Sequence, residues 1–369
     1  MPYSAFPDLW EYLKHTSKHV VMYGMGNGAD KILAVADAKG IVIEDFFASD
    51  GFVRGHSFHG KRVLSYSEAK EKYGADNMIV LLSFASSLPD VMNTILRVAD
   101  QCELYAPDVP VFGDNLFDAD FYNAHKSEFD AARNLLADEE SVRVFDHIIQ
   151  YKLTGDLKFL TAIENDPDES FGKILPCSEF CTAADLGAYN GDSARALAPY
   201  APRLQTLYAL EPDARNYRKL CAYAQTEQQF AIHPLQCAAW SEDTVLHFDA
   251  SGNRNAGAAQ NTSTVLQGRA AKIIEVQARA LDSVLDGAPC DYIKFDVEGS
   301  EAQALLGCKQ TIAAYAPALL VSCYHRSEDI YALPTLVHAL CPEYKLYLRR
   351  FRYFPAWDIN LYAIQGDKM

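Results

Sequence analysis

From His19 the chain reads HVVMYGMGNGADKILAVADAKGIVIEDFFASD: an apolar run, a glycine turn, apolar positions three and four apart, and a second apolar run. Short apolar runs bounded by glycine predict buried strands, and the spacing between them predicts an amphipathic helix. The alternation continues. NMIVLLSFAS (77–86) predicts another strand, SLPDVMNTILRVADQ the helix after it, and CELYAPDVPVFG a final extended segment. Strands that are apolar throughout, each followed by a helix, predict a parallel sheet with both faces covered. This first unit is expected to span residues 1–115.

Residues 121–165 change character, with Phe, Leu, Val and Ile at helical spacing and few turn signals before Gly155. They predict a helical connector, assigned to 116–180 and packed on the second domain, 181–369. There seven strands are predicted: CTAADLG (181–187), QTLYALE (205–211), AIHPLQCAAW (231–240), DYIKFDV (291–297), ALLVSCYH (318–325), YKLYLRRF (344–351) and DINLYAI (358–364). Helices fit between the first six. Only FRYFPAW separates the last two, a link too short for a parallel crossover, so these are expected to pair antiparallel. Between the third and fourth strands, TVLHFDA and KIIEVQARAL predict two more extended pieces around a polar loop at 250–270. A loop of that length in a compact domain is either functional or disordered, and together with the first unit it is expected to select the acceptor.

Composition narrows the partners. The formal net charge is -16, with 49 acidic residues against 33 basic ones, which repels both a phosphate backbone and an anionic bilayer. No run approaches the roughly 20 apolar residues of a membrane span, and the first residues lack a signal-peptide pattern. A cytoplasmic location is expected, without nucleic-acid or membrane partners. The nine scattered cysteines read as reduced apolar fillers. Cys177 and Cys181 lack a second ligand pair, so no zinc is expected.

Two loops carry the candidate chemistry. ADLGAYNGDSARAL places Asp185, Gly187 and Gly191 where a strand passes into a helix, at the carboxyl edge where open α/β sheets take ligands. Asp185 and Asp192 make this loop acidic, which suits an ammonium or sulfonium group better than a diphosphate. S-adenosylmethionine carries both. Glu211 ends the next strand, in YALEPDARNYRKL, where a carboxylate can accept from both ribose hydroxyls; Asp213 reads equally as the N-cap of the following helix. The expected cofactor contacts are Asp185, Gly187, Ala188, Tyr189, Asn190, Gly191, Glu211 and Pro212. Ala238 and Ala239, at the end of the third strand, and Asp296, at the end of the fourth, complete the set.

DLGAYNGDSARAL, YALEPDARNYRKL, ARALDSVL and above all DYIKFDVEGSEAQALLGCKQTI resemble the FkbM-type family of S-adenosylmethionine-dependent methyltransferases, over about residues 135–364. The resemblance implies the seven-stranded class I methyltransferase fold, with S-adenosylmethionine over the first two strand ends. It also implies O-methylation of a hydroxyl on a sugar or secondary metabolite. Tyr189, where many relatives carry a smaller residue, and SCYH, where an acidic residue often precedes the histidine, depart from the pattern.

Methyl transfer to an alcohol requires alignment of oxygen, methyl carbon and sulfur, and a base for the proton. Asp296, in KFDVEGSE, is the first candidate base, His325 at the end of the fifth strand the second, and Glu298 a third. Lys294 and Asp296, on one strand face, read equally as a structural ion pair, and Glu301 as a charge favouring the positive N-terminus of a helix predicted over 299–313. Two carboxylates and a histidine at adjacent strand ends would also suit magnesium, although the spacing demands no metal.

The first unit holds a further signal. GMGNGA matches GxGxxA at Gly24, Gly26 and Ala29, and Glu44, Asp45 or Asp50 falls about 20 residues on, the spacing of nicotinamide-type sites. With HGKRVLSYSEA it looks like the small Rossmann-like modules attached to sugar-modifying enzymes. The competing expectation is therefore a protein that binds NAD or a nucleotide-sugar through its first unit, its methyltransferase-like domain serving recognition only.

Overall fold

The computed structural model describes residues 6–53, 55–249 and 273–366. The polar loop singled out at 250–270 lies outside the described residues. In the first unit five strands, β1 (His19–Tyr23), β2 (Asp45–Ala48), β3 (Leu64–Ser65), β4 (Met78–Leu82) and β5 (Glu103–Tyr105), form a sheet of order β3-β2-β1-β4-β5. All its neighbours are parallel. Helices Asn27–Lys39 and Pro89–Ala99 follow the first and fourth strands, where the apolar spacing predicts them. The last predicted segment is shorter than expected. After Tyr105 the chain leaves the sheet, because Pro107 and Pro110 lack the N–H donors that a paired strand needs.

Between residues 119 and 161 the connector forms four helices, Ala119–Ala124, Lys126–Asn134, Glu139–Thr154 and Leu157–Thr161, with short helical turns following at Pro167–Glu169, Ser170–Ile174 and Cys177–Glu179. Asp118, Asp138 and Asp156 accept from the N–H groups of Phe121, Ser141 and Lys158 at 3.0, 2.8 and 3.0 Å. Three of the helix starts are thus fixed by acidic N-caps, which hydrophobic spacing does not report.

The second unit holds β6 (Thr182–Leu186), β7 (Thr206–Leu210), β8 (Ala231–Leu235), β9 (Ala238–Ala239), β10 (Thr244–Asp249), β11 (Ile273–Arg279), β12 (Tyr292–Phe295), β13 (Ala318–Ser322), β14 (Tyr344–Arg350) and β15 (Ile359–Gln365). Seven of them form one sheet, β8-β7-β6-β12-β13-β15-β14. Its first five are parallel, and β15 runs antiparallel to both β13 and β14. This is the class I methyltransferase arrangement, with the antiparallel pair that the short link dictates.

Two predicted elements are split. Cys237 N–H turns back onto the Leu235 carbonyl at 3.0 Å, so the predicted strand 231–240 ends early. Ala238 and Ala239 instead join a separate three-stranded sheet, β9 parallel and β10 antiparallel to β11. The predicted helix 299–313 is likewise two helices, Glu301–Leu306 and Lys309–Tyr315. Asp282, from LDSVL, caps the second by accepting from the N–H groups of Gln310 and Thr311, both at 2.9 Å.

One hydrophobic cluster runs from Val21 and Val80 through Phe117, Phe129 and Phe145 of the connector to Leu186, Phe295 and Leu361. The connector helices therefore bring the two sheets into a common core. The nine cysteines are free thiols and seven are buried, consistent with use as apolar fillers. No helix among the described residues is long and apolar enough to cross a membrane.

Candidate active site

The order of the main sheet reverses between β6 and β12, and at such a switch point the loops that follow adjacent strands part to leave a crevice. The two strand ends are tied together there. Asp296 N–H donates to the Leu186 carbonyl at 2.9 Å, and Gly187 (φ +89°) comes so near that a Cβ on it would lie 1.8 Å from the Asp296 carbonyl oxygen. Lys294 is paired in register with Asp185 across the strands. Its ammonium lies 3.5 Å from Asp185 Oδ1 and 3.4 Å from Asp296 Oδ2. Burial opposes its charge, but the two aspartates hold the amine above the usual lysine range. Asp185 is buried, and that burial pushes its carboxyl up despite Lys294. Its Oδ2 has no hydrogen-bond partner among the described residues, an arrangement that is costly unless a ligand donor meets it.

Glu211 directly follows β7 and is also buried. Its oxygens accept the N–H groups of Tyr189 and Asp213, each at 2.8 Å. Burial raises its carboxyl to about 7, the two N–H groups offsetting only part of the effect. Each oxygen keeps a second lone pair for a ligand hydroxyl. Asp213 is the N-cap of helix Ala214–Thr226, accepting from Arg215 and Asn216 at 3.0 and 2.8 Å. Between these carboxylates, Ala188 is buried and the Asn190 carbonyl accepts from Arg195 Nη1 at 3.1 Å. The Tyr189 side chain is 45% exposed, its ring 5.5 Å from Lys219 Nζ, so the bulky residue stands outside the loop. Pro212 is partly exposed beside Glu211, whereas Ala238 and Ala239 are buried in the separate small sheet.

The carboxylates of DVEGSE converge on one histidine. Glu298 (φ +54°) and Gly299 (φ +87°) bend the chain after Val297, so Glu298 is carried round to the side of Asp296. His325, 1% exposed, lies just past β13. Its Nε2 is 3.6 Å from Asp296 Oδ1 and 3.5 Å from Glu298 Oε2. Nδ1 is 2.9 Å from Glu301 Oε1, an ion-pair contact not aligned as a hydrogen bond. Burial works against the imidazolium, but the three carboxylates prevail and raise His325 to about 10. Asp296 is partly exposed and accepts from the Tyr324 hydroxyl at 3.3 Å. Desolvation pushes its carboxyl up, and Lys294 and His325 outweigh this to hold it below the usual carboxylate range.

Residues 185–353, which contain Asp185, Glu211, Asp296 and His325, match the family described as methyltransferase FkbM domain. The chain carries an FkbM methyltransferase domain. Its structure is similar to that of methyltransferase FkbM from Methylobacillus flagellatus KT, at 20% identity over 94% of this chain and 90% of that one, with a TM-score of 0.68. At that identity the likeness is one of fold, and its coverage includes the first unit. Aeropyrum pernix fibrillarin in complex with natively bound S-adenosyl-L-methionine matches at 14% identity over 52% of this chain and 69% of that one, with a TM-score of 0.33, too low to inform function. No curated protein matches the chain.

Within the FkbM domain Glu301 does more than favour a helix start. It is 1% exposed, and its Oε1 accepts from Val297 and Gly299 at 2.9 and 3.3 Å as well as facing His325. It braces the turn and the histidine together. The sequence signal was its spacing with Ala304 and Leu305, which places it on the buried face of its helix. Sequence reasoning also missed Tyr324 and Asp358. Asp358 (φ +63°) stands two residues beyond the Ser322–Asn360 pair and accepts from Asn360 Nδ2 at 2.7 Å.

Asp296, Glu301 and His325 bring potential ligand atoms within 4.8 Å of one another. Magnesium takes oxygen ligands and keeps several waters. Here the shared atoms belong to a buried histidine, and Glu301 Oε1 already serves two backbone donors. The cluster does not fit magnesium; it fits a proton held on His325.

In the first unit the glycine loop is packed by protein at Gly24 and Gly28 and open at Gly26. A Cβ on Gly28 would lie 2.1 Å from the Ser83 carbonyl oxygen, so that glycine lets its helix pack on the end of β4. The three candidate ribose acceptors are all engaged. Glu44 pairs with His19 Nδ1 at 2.6 Å, Asp45 with Lys72 at 2.7 Å and the Tyr73 hydroxyl at 2.5 Å, and Asp50 with the N–H and hydroxyl of Ser67 at 2.9 and 2.8 Å.

Proposed function

We propose that the protein transfers the methyl group of S-adenosylmethionine to a hydroxyl of a sugar or secondary metabolite. What supports this is the meeting of Gly187 and Asp296 at the switch point, flanked by a buried Asp185 and a buried Glu211. The backbone can be approached closely there, and the carboxylates suit a cationic nucleoside. When bound, S-adenosylmethionine supplies a methyl group already activated by a positive sulfur. Asp185 offers its unpaired oxygen to the ligand's ammonium. Glu211 receives the ribose hydroxyls on its remaining lone pairs, and the loop from Gly187 to Gly191 lines the approach.

On the acceptor side Asp296 takes the hydroxyl proton while the acceptor oxygen bonds to the methyl carbon and the carbon–sulfur electron pair leaves with sulfur. Alignment contributes most of the acceleration, and the base adds about 10²–10⁴. His325, raised to about 10, is an imidazolium at neutral pH. Its charge helps hold Asp296 ionised, and an imidazolium has no lone pair for the hydroxyl proton, so in this reading Asp296 rather than His325 is the base. A small-molecule acceptor fits the net charge of -16 better than a nucleic acid. In the first unit the candidate acids Glu44, Asp45 and Asp50 already pair with protein groups, so the second unit carries the stronger case for the nucleoside.

The experiment is a screen for transfer of labelled methyl from S-adenosylmethionine into a metabolite extract, run with the parent and with Asp296→Asn. A labelled product formed by the parent and nearly lost in the variant is expected. Equal labelling in both, or none in either, would count against the assignment.

A further inference from the structure

Residues 107–116 belong to neither sheet and cross from β5 to the acidic knot as a strap. Phe112 N–H donates to the His325 carbonyl at 3.0 Å, and the two rings meet edge to face at 6.1 Å. The Phe112 side chain is pressed on the turn that presents Glu298: a Cβ on Gly299 would come within 3.0 Å of Phe112 Cβ. Arg326 Nε–H donates to the Gly299 carbonyl at 2.6 Å, and the Ser327 hydroxyl to the Asn115 carbonyl at 2.6 Å. The strap is anchored from the other side by the first unit and the connector. Lys31, in the helix after the glycine loop, donates to the carbonyls of Pro110 and Val111 at 2.8 and 2.6 Å. Lys152 meets Asp108 Oδ2 at 2.9 Å, with both side chains largely buried.

We propose that Phe112 is a positioning residue for methyl transfer, holding the Glu298–Gly299 turn against His325, and that Lys31 serves the same end by fixing the strap. The proposal rests on the methyltransferase assignment for what is being positioned; the contact and its effect on His325 do not depend on it. It gives the glycine-loop helix a task that requires no nucleotide. The groups facing His325 are Asp296, Glu298, Glu301 and Asp329, with Lys294 and Arg326 the nearby cations and Tyr324 the adjoining phenol. Phe112 adds no charge. It covers the buried Gly299 and His325, and a low local dielectric there strengthens the hold of the carboxylates on the imidazolium.

The test is histidine NMR on the full chain carrying ¹³C-labelled imidazoles, with His325→Asn to assign the signal. In Phe112→Ala the His325 midpoint should fall by about one pH unit or more, Phe112→Tyr should restore it, and Lys31→Met should shift it in the same direction. An unmoved midpoint in a folded Phe112→Ala protein overturns the proposal; if that variant does not fold, Phe112→Leu is read by the same criterion. S-adenosylhomocysteine titrated into the same samples should bind all of them within about twofold of the parent. Failure of the parent itself to bind would sink the methyltransferase assignment while leaving the NMR outcome to decide the role of Phe112.

Discussion

Gly187 and Asp296 meet backbone to backbone, with room for no side-chain atom on the glycine: a Cβ would lie 1.8 Å from the aspartate carbonyl oxygen. Gly187 also has φ +89°, where a side chain costs roughly 1–3 kcal/mol before any clash. Gly187→Ala is therefore expected to melt well below the parent and to lose S-adenosylhomocysteine binding. A stable variant with parental affinity would mean that the two strand ends do not frame the ligand.

Glu211 gives a prediction with a pH sign. Ribose hydroxyls donate to the ionised carboxylate, and burial raises this group to about 7. Affinity should strengthen up to roughly tenfold between about pH 6 and 8, with net proton release measured by calorimetry in two buffers. In Glu211→Gln the profile should flatten. Glu211→Ala should weaken binding by about 1–3 kcal/mol, the loss when a charged hydrogen-bond partner is removed.

His325 makes stability depend on pH in the opposite direction. Its folded-state value is raised from 6.5 to about 10, so its contribution is fully present below about pH 6.5 and is lost as pH rises through about 10. The melting-temperature gap between the parent and His325→Asn should be widest near pH 6 and narrow toward pH 10. A gap constant across that range would show that the histidine is not held as a cation.

Glu301→Gln separates the two tasks of Glu301. The amide can still accept from Val297 and Gly299, but the charge facing His325 is gone. Removing one partner of a buried ion pair costs about 3–5 kcal/mol, and the His325 midpoint should fall with it. Unchanged stability in denaturant unfolding would reduce Glu301 to the helix-start charge that its sequence position first suggests.

Both sheets were legible because strands covered on two faces are largely apolar, as β4 is throughout, β1 after His19 and β12 apart from Lys294. The antiparallel β14–β15 pair followed from a link too short for anything else. Strand-end logic brought out Asp185, Glu211 and Asp296, since the carboxyl edge of a parallel sheet is where such residues can meet a ligand. Glu301 was not legible as a partner of His325, because a glutamate at a helix start is ordinary and its partner lies far along the chain. Phe112 was hidden for the same reason: a phenylalanine after a proline-broken strand shows nothing of the turn it will press on. The connector breaks were missed because Asp118, Asp138 and Asp156 act through single backbone hydrogen bonds, which leave the apolar spacing intact.

Asp296→Asn should keep the fold and the affinity for S-adenosylhomocysteine while turnover falls about 10²–10⁴-fold. Activity within threefold of the parent would make the aspartate a structural partner of Lys294.

The most direct measurement is calorimetric titration of the purified protein with S-adenosylmethionine and S-adenosylhomocysteine. Saturable one-to-one binding of both, weakened by Glu211→Ala, is predicted. Absence of binding to either ligand, or binding indifferent to Glu211, would contradict the assignment of this cleft.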